Sequence, residues 1–214
     1  MKNLKLCQVR PGERFTLDGA EFVKLDEDRG VAFVVTADVI LGEVPFDSER
    51  ETERNNFVGS EIESALLEWL NGHPGIEEAV VERPIDLTSM DGMRDYGTPC
   101  IKVRLLTIDE YRRYREFIPL ASEPYWTATP WTTERSPNSD SNNAYNVNTD
   151  GTLNNNNVNN PYFAARPALM EHAAAQKNRR RHALLEYGGC RVQVALRRTQ
   201  RTIIKGGHIL PWLP

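Results

Sequence analysis

An α+β fold is what the 214 residues predict, and three observations carry the expectation. Apolar alternation of period two crowds into the first forty residues. Two helix starts with capping chemistry follow, separated by long irregular stretches. A dense Asn-rich segment then alternates, turns and closes like a hairpin late in the chain. Eleven of the sixteen asparagines lie between Asn138 and Asn160.

The opening RFTLDGAEFVKLDED sets Asp18-Gly19 between two alternating runs, a short-range hairpin signal, and VAFVVTADVI adds an apolar strand. Phe15, Phe22, Val31, Phe33 and Val35 are the core candidates. From Leu41 to Phe57 the chain is charged and irregular, so a long loop is expected. Ser60 with Glu63 three positions on then makes a capping box. Ile62, Leu66, Trp69 and Leu70 fall on one face of a helix over 61–71 that ends at Asn71-Gly72. Trp69 is therefore expected in the core, where its loss opens a cavity costing about 3–5 kcal/mol. CIKVRLLT reads as a buried strand. Thr107 and Glu110 open a second helix, IDEYRRYREF, which Pro119 stops.

Asn142 to Val147 and Thr152 to Val158 can pair across Thr149-Asp150-Gly151. On that pairing Tyr145, Val147, Leu153 and Val158 are expected to bury one side while the amides face out. A row of exposed asparagines offers donors and an acceptor at each position and contributes little to a core. The candidate binding residues are therefore Asn138, Asn142, Asn143, Tyr145, Asn146, Asn148, Asn154, Asn155, Asn156 and Asn157, with Trp131 and Arg135 from the preceding loop. The competing explanation is that these amides satisfy turn backbone through Asx-type bonds. Trp131, between Pro130 and Thr132, is expected at the contact surface.

Charge divides the chain after Met170. Residues 1–170 carry 17 Lys and Arg against 28 Asp and Glu, whereas residues 171–214 carry 9 against 2. An acidic body repels phosphate, and a basic tail suits an acidic partner, nucleic acid or the body itself. Residues 171–187 read as a helix stopped by Gly188-Gly189, with two short strands after it. Arg179, Arg180 and Arg181 are the candidate tail contacts, nucleic acid being the lesser expectation. The apolar close, Ile209 to Pro214, suits an interface.

Cys7, Cys100 and Cys190 are odd in number and widely spaced, which predicts reduced, mostly buried thiols. No apolar run reaches the roughly 20 residues that span a bilayer, and MKNLKLCQVRPGERF lacks a signal-peptide core. His73, His172, His182 and His208 have no metal-ligand spacing, and no triad or phosphate-loop motif is present. Asp86, Asp91 and Asp95 do not follow the calcium-loop spacing. No catalytic residue, metal or cofactor is expected.

FVGSEIESALLEWLNG, IKVRLLTIDEY, YWTATP, SNNAYNVNTDGTLNNNNVNN and ARPAL together resemble an uncharacterised domain family of phage, prophage and gut-bacterial proteins. That family is in turn similar to the C-type-lectin-like fold of diversity-generating-retroelement variable proteins and formylglycine-generating enzymes. The resemblance runs over about residues 10–170 and rests most on Trp69-Leu70-Asn71, Tyr125-Trp126, Thr149-Asp150-Gly151 and Arg166 to Leu169. Trp126-Thr127-Ala128-Thr129 stands where the family has Trp-Leu-Arg-Ser, and Ala164-Ala165 precedes Arg166 where it has Gly-Val. Thr127 to Trp131 are expected beside the binding face, so ligand geometry does not carry over from the family.

The resemblance implies a C-type-lectin-like domain over 1–170, with two short helices and an Asn-rich hairpin, followed by a basic extension over 171–214. It also implies Asn-rich variable positions and a core place for Trp126, where the fold closes. Redox catalysis of the formylglycine type is not expected, because that chemistry uses paired late cysteines. The functional expectation is a non-catalytic recognition module, phage or prophage encoded, binding a host surface component or a protein. The alternatives are a virion assembly protein using its basic tail, or an intracellular effector against a host defence protein. A homo-oligomer, no membrane insertion, and residence in the virion or host cytoplasm complete the expectations.

Overall fold

The computed structural model describes residues 6–173, together with the backbone of 183–187 and 190–194. Helices and antiparallel sheets alternate irregularly along it, as an α+β chain requires. The strands are β1 (Arg14–Leu17), β2 (Ala20–Asp28), β3 (Val31–Thr36), β4 (Arg83–Pro84), β5 (Cys100–Ile101), β6 (Val103–Arg104), β7 (Tyr125–Pro130), β8 (Asn143–Val147), β9 (Leu153–Asn157), β10 (Ala168–His172), β11 (Ala183–Tyr187) and β12 (Cys190–Val194). The helices are α1 (Glu61–Asn71), α2 (Pro74–Glu77) and α3 (Ile108–Arg113).

Two tight turns launch the larger sheet. Asp18 and Gly19 both take positive φ, 47° and 83°, and Arg29 and Gly30 repeat the pattern at 49° and 76°. Two positive φ values in a two-residue loop match the right-handed twist of the strands they join. The sheet then runs β1-β2-β3-β10-β6, so the early β2–β3 hairpin meets the late β10. Ala168 faces Val35 and His172 faces Val31 across that join. β10 crosses residue 170 without a break.

Alternation along these strands feeds two cores. Phe22, Val34 and Leu169 point to the face covered by Ile62, Leu66 and Leu70 of α1. Val23, Phe33 and Val35 point to the other face, under Tyr111 of α3 and Ile118. Phe15 and Val31, expected inside, are half-buried. Trp69 is also only half-buried: it packs on the edge of the first core and lies over His73, ring centroids 4.7 Å apart. The expected cavity at Trp69 is therefore corrected, because the helix turns this position toward the rim.

Both helices start on the expected N-cap, but the full reciprocal box forms only at the second. Ser60 Oγ accepts from Glu63 N at 3.2 Å, and Glu63 reaches back one residue further, accepting from Gly59 N at 2.6 Å. Thr107 and Glu110 form the complete reciprocal box. α3 stops at Arg113, capped at Tyr114, and does not continue to Phe117. CIKVRLLT is two short strands broken at Lys102: β5 pairs with β4 and β6 with β10.

Two further expectations are overturned. The helix expected over 171–187 is contradicted at both ends, by β10 through His172, where pairing with β3 outweighs helix propensity, and by β11 from Ala183; residues 174–182 lie outside the described residues. β11 pairs with β12. Cys7 is exposed, and Cys100 is disulfide-bonded rather than a free thiol. Distance along a sequence sets no limit on such a bond, since only separation in space matters.

Arg166 closes the fold. Its guanidinium, 1% exposed, donates to Thr36 O at 2.9 Å, Ala37 O at 2.7 Å and Pro119 O at 2.9 Å, and lies over the Tyr125 ring. Among the described residues no helix is long and apolar enough to cross a membrane.

A candidate ligand-recognition face

β7, β8 and β9 form the second sheet, and the Asn-rich segment is its β8–β9 hairpin. The register runs from Asn143 opposite Asn157 to Val147 opposite Leu153. Asn148 N–Thr152 O at 2.8 Å closes a three-residue loop, in which Gly151 takes φ 81°. A side chain at 151 would collide with Arg115, and Tyr111 Oη donates to Gly151 O at 2.8 Å, so α3 grips the turn. The turn and the pairing are those expected from sequence.

The distribution of amides is not. Residues directly opposite in an antiparallel pair share a face. One face carries Trp126, Ala144, Asn146, Asn154, Asn156 and Val158, and most of it enters the first core. The other carries Tyr125, Val147 and Leu153 at one end, against the second core, and Trp131, Asn143, Tyr145, Asn155 and Asn157 at the open end. Val158 therefore faces away from Tyr145, Val147 and Leu153, and asparagines stand on both sides. An all-Asn strand has no polarity contrast with which a sequence can signal its faces.

Asn146 is wholly buried; its Nδ2 donates to Asn148 Oδ1 at 3.0 Å and its Oδ1 accepts from Asn156 Nδ2 at 3.2 Å. These three amides form a ladder beside Trp126, whose Nε1 donates to Val44 O at 3.0 Å. Other amides bond locally: Asn154 Oδ1 accepts from Asn155 N, Asn157 Oδ1 from Asn159 N, and Asn148 Nδ2 donates to Thr152 Oγ1. Asn143 Nδ2 donates to Asp140 Oδ2 at 2.5 Å.

The open end has a different character. Trp131 and Tyr145 are half-buried with ring centroids 5.3 Å apart, inclined by 37°. Trp131 is held in line because its N–H donates to Asn143 O at 3.1 Å, continuing the β7–β8 ladder past Pro130. Half-buried Asn143 and Asn155 and exposed Asn157 complete the patch. Burial pushes the Tyr145 hydroxyl up from its ordinary value, opposed by the nearby Arg112 guanidinium, so the phenol is a neutral donor at physiological pH.

Beside this face the loop 131–142 is fastened by residues that sequence reading passed over. Asn55, fully buried, donates from Nδ2 to Thr132 O and Asn143 O, both at 2.8 Å, and accepts from Tyr96 Oη at 2.8 Å. Burial drives the Tyr96 phenol far above its usual range, helped by Glu53 and Glu134. Thr133 Oγ1 donates to Asp95 Oδ2 at 2.5 Å, and Arg54 Nη1 donates to Asn142 Oδ1 at 2.7 Å. One asparagine in a charged loop carries no signal of such a role. Arg135 is exposed, 3.6 Å from Asp95, and Asn138 is exposed on the same loop. Arg179, Arg180 and Arg181 lie outside the described residues.

Two concavities occur elsewhere. One of about 420 Å³ is lined by Asp26, Phe33, Arg113, Tyr114 and Met170 among others, and one of about 170 Å³ by Asp86, Thr88 and Arg94 among others. Neither includes a residue of the hairpin. No three His, Cys, Asp or Glu side chains among the described residues are grouped to hold a metal ion. No family model, curated protein or solved structure matches this chain.

Proposed function

We propose that this protein is a non-catalytic recognition module that engages a protein or host surface component through the open end of the second sheet. The reading rests on one observation above the rest: Trp131 and Tyr145 stand as a fixed, half-buried aromatic pair with Asn143, Asn155 and Asn157 on the same face. Aromatic rings supply contact area at small entropic cost, and neighbouring amides supply both donors and acceptors. Asn55, Tyr96 and Asp95 fix the adjoining loop, which pre-organises the surface.

A C-type-lectin-like arrangement of the body belongs to the same proposal. It is supported by the late strand β10 inserting beside the early β3, with the long loops of residues 37–60 and 85–99 between them in sequence.

The test is retention of the full chain on envelope, soluble-protein and nucleic-acid fractions of host-cell material, compared with Trp131→Ala and with Asn155→Ala/Asn157→Ala. Retention on one fraction that both variants lose, with melting temperature unchanged, supports the reading. Equal retention by all three proteins overturns it.

A further inference from the structure

Among the described residues, the outer edge of β9 is left open for hydrogen bonding. Asn148 N–Thr152 O and Val158 N–Asn142 O, both at 2.8 Å, fix which residues of β9 bond inward to β8. Antiparallel ladders alternate, so Asn154 and Asn156 spend their backbone groups on β8, while Leu153, Asn155 and Asn157 direct theirs outward, the Asn157 carbonyl accepting from Asn160 N at 3.0 Å and keeping one lone pair for a partner. The Asn155 N–H shows that orientation directly, since with no strand to meet it is taken up by Asn154 Oδ1 at 2.9 Å. No described strand pairs there.

The opposite edge of the same sheet is treated differently. Trp126 N donates to Ala164 O, and Ala128 N to Leu106 O, so β7 is covered by chain on its outer side. Natural edge strands that stay single are blunted by charge, proline or a bulge. β9 is LNNNN in unbroken register, with none of these devices.

We infer that β9 pairs with β9 of a second copy of this chain, antiparallel about a two-fold axis at Asn155, joining two three-stranded sheets into one of six strands. The register follows from the outward groups: Asn155 opposes its own copy, and Leu153 opposes Asn157. On the reverse face Asn154 opposes Asn156. Uncharged amides face amides at the axis and on the reverse face, so the identical edges meet without like-charge repulsion, which is the complementarity that selects a self-partner. The cap on Asn155 N–H is released by a side-chain rotation of Asn154. A contact one strand long is small, so the dimer is weak and concentration-dependent. The net charge of −4 on each chain opposes it, and salt favours it.

This inference concerns the backbone edge of β9 and shares Asn155 and Asn157 with the ligand face, so Trp131→Ala, which leaves the edge untouched, separates the two. The test is sedimentation of the full chain over about 1 to 300 μM, the range in which a small contact dissociates, with Asn155→Lys and Asn155→Pro alongside. Lysine sets two like charges on the axis. Proline deletes an outward N–H that β8 does not use. The expected result is a dimer in the native chain that strengthens with salt and is lost in both variants, with amide exchange at Leu153, Asn155 and Asn157 slowing as concentration rises. A native chain that stays monomeric throughout, or a dimer that survives Asn155→Lys, overturns the inference. The lysine variant decides the matter should the proline variant not fold.

Discussion

Asn146→Ala and Asn154→Ala remove the same amide from two directly opposed positions of one hairpin, one buried and one exposed, and they should differ several-fold in cost. Asn146 is fully buried and holds two side-chain hydrogen bonds, to Asn148 and from Asn156. Each is worth about 1 kcal/mol net, and the space left beside Trp126 adds to this, giving about 2–3 kcal/mol in all. Asn154 is exposed and only caps the Asn155 N–H, which water replaces, so its loss costs under about 0.5 kcal/mol. Urea unfolding followed by tryptophan fluorescence measures both. At a slope of about 2–3 kcal/mol per molar, Asn146→Ala should lower the midpoint by about 1 M and Asn154→Ala by under about 0.3 M. Equal midpoints for the two variants would refute the division of the asparagines into a structural ladder and an exposed set.

Other perturbations separate parts of the fold. Trp126→Ala should cost about 3–5 kcal/mol and Trp69→Ala about 1–2 kcal/mol, because Trp126 is enclosed by Phe46 and Phe163 while Trp69 lies at the rim; equal thermal shifts would contradict this. Arg166→Lys should destabilise by about 2–4 kcal/mol, since an ammonium cannot serve carbonyls of Thr36, Ala37 and Pro119 together, and denaturant melts that match the native chain would dispose of the claim. Glu171, 1% exposed and without a hydrogen bond at Oε1, is pushed up to about 7 by burial. The unfolded chain therefore releases that proton near pH 4.5 and the folded chain near 7, so stability present below the lower value falls as pH rises through the window, by about 3 kcal/mol. His172, lowered by burial and by Arg83, works in the opposite sense, so the measurement is the pH dependence of melting in Glu171→Gln relative to the native chain. A difference that does not grow between pH 5 and 7.5 would exclude Glu171 as the source.

The legible parts of this fold were those where chemistry is local. Asp18-Gly19 and Thr149-Asp150-Gly151 announce their turns, Ser60 and Thr107 their helices, and each stands where expected. What escaped depended on neighbours distant in sequence. The run after Met170 has good helix formers, but its first residues are claimed by the gap beside β3. Trp69 has the right spacing for a core residue, and only the position of the sheet under α1 leaves it at the rim. In the hairpin the register could be read from the turn, whereas the side each asparagine faces depends on which of Ala144, Val147 and Val158 meets which core. Trp131 was found as a contact candidate, but its pairing with Tyr145 required knowing that β7 ends opposite Asn143. Asn55 left no trace in sequence, because a buried bracket uses the same residue type as any surface loop.

The insertion of β10 beside β3 also dictates how this protein must be made. β3 is complete at Thr36, and the strand that covers it begins at Ala168. At about 5–20 residues per second a ribosome needs roughly 7 to 26 s to cross that interval. Throughout it the apolar run VAFVVT has an unpaired flank, and Arg166 has not yet emerged to tie Thr36 and Ala37 to Pro119. Closing so long a loop is a late and slow event in a chain of this topology. Yield should therefore respond to the rate of synthesis and to chaperones that hold nascent chains, even where the finished protein is stable.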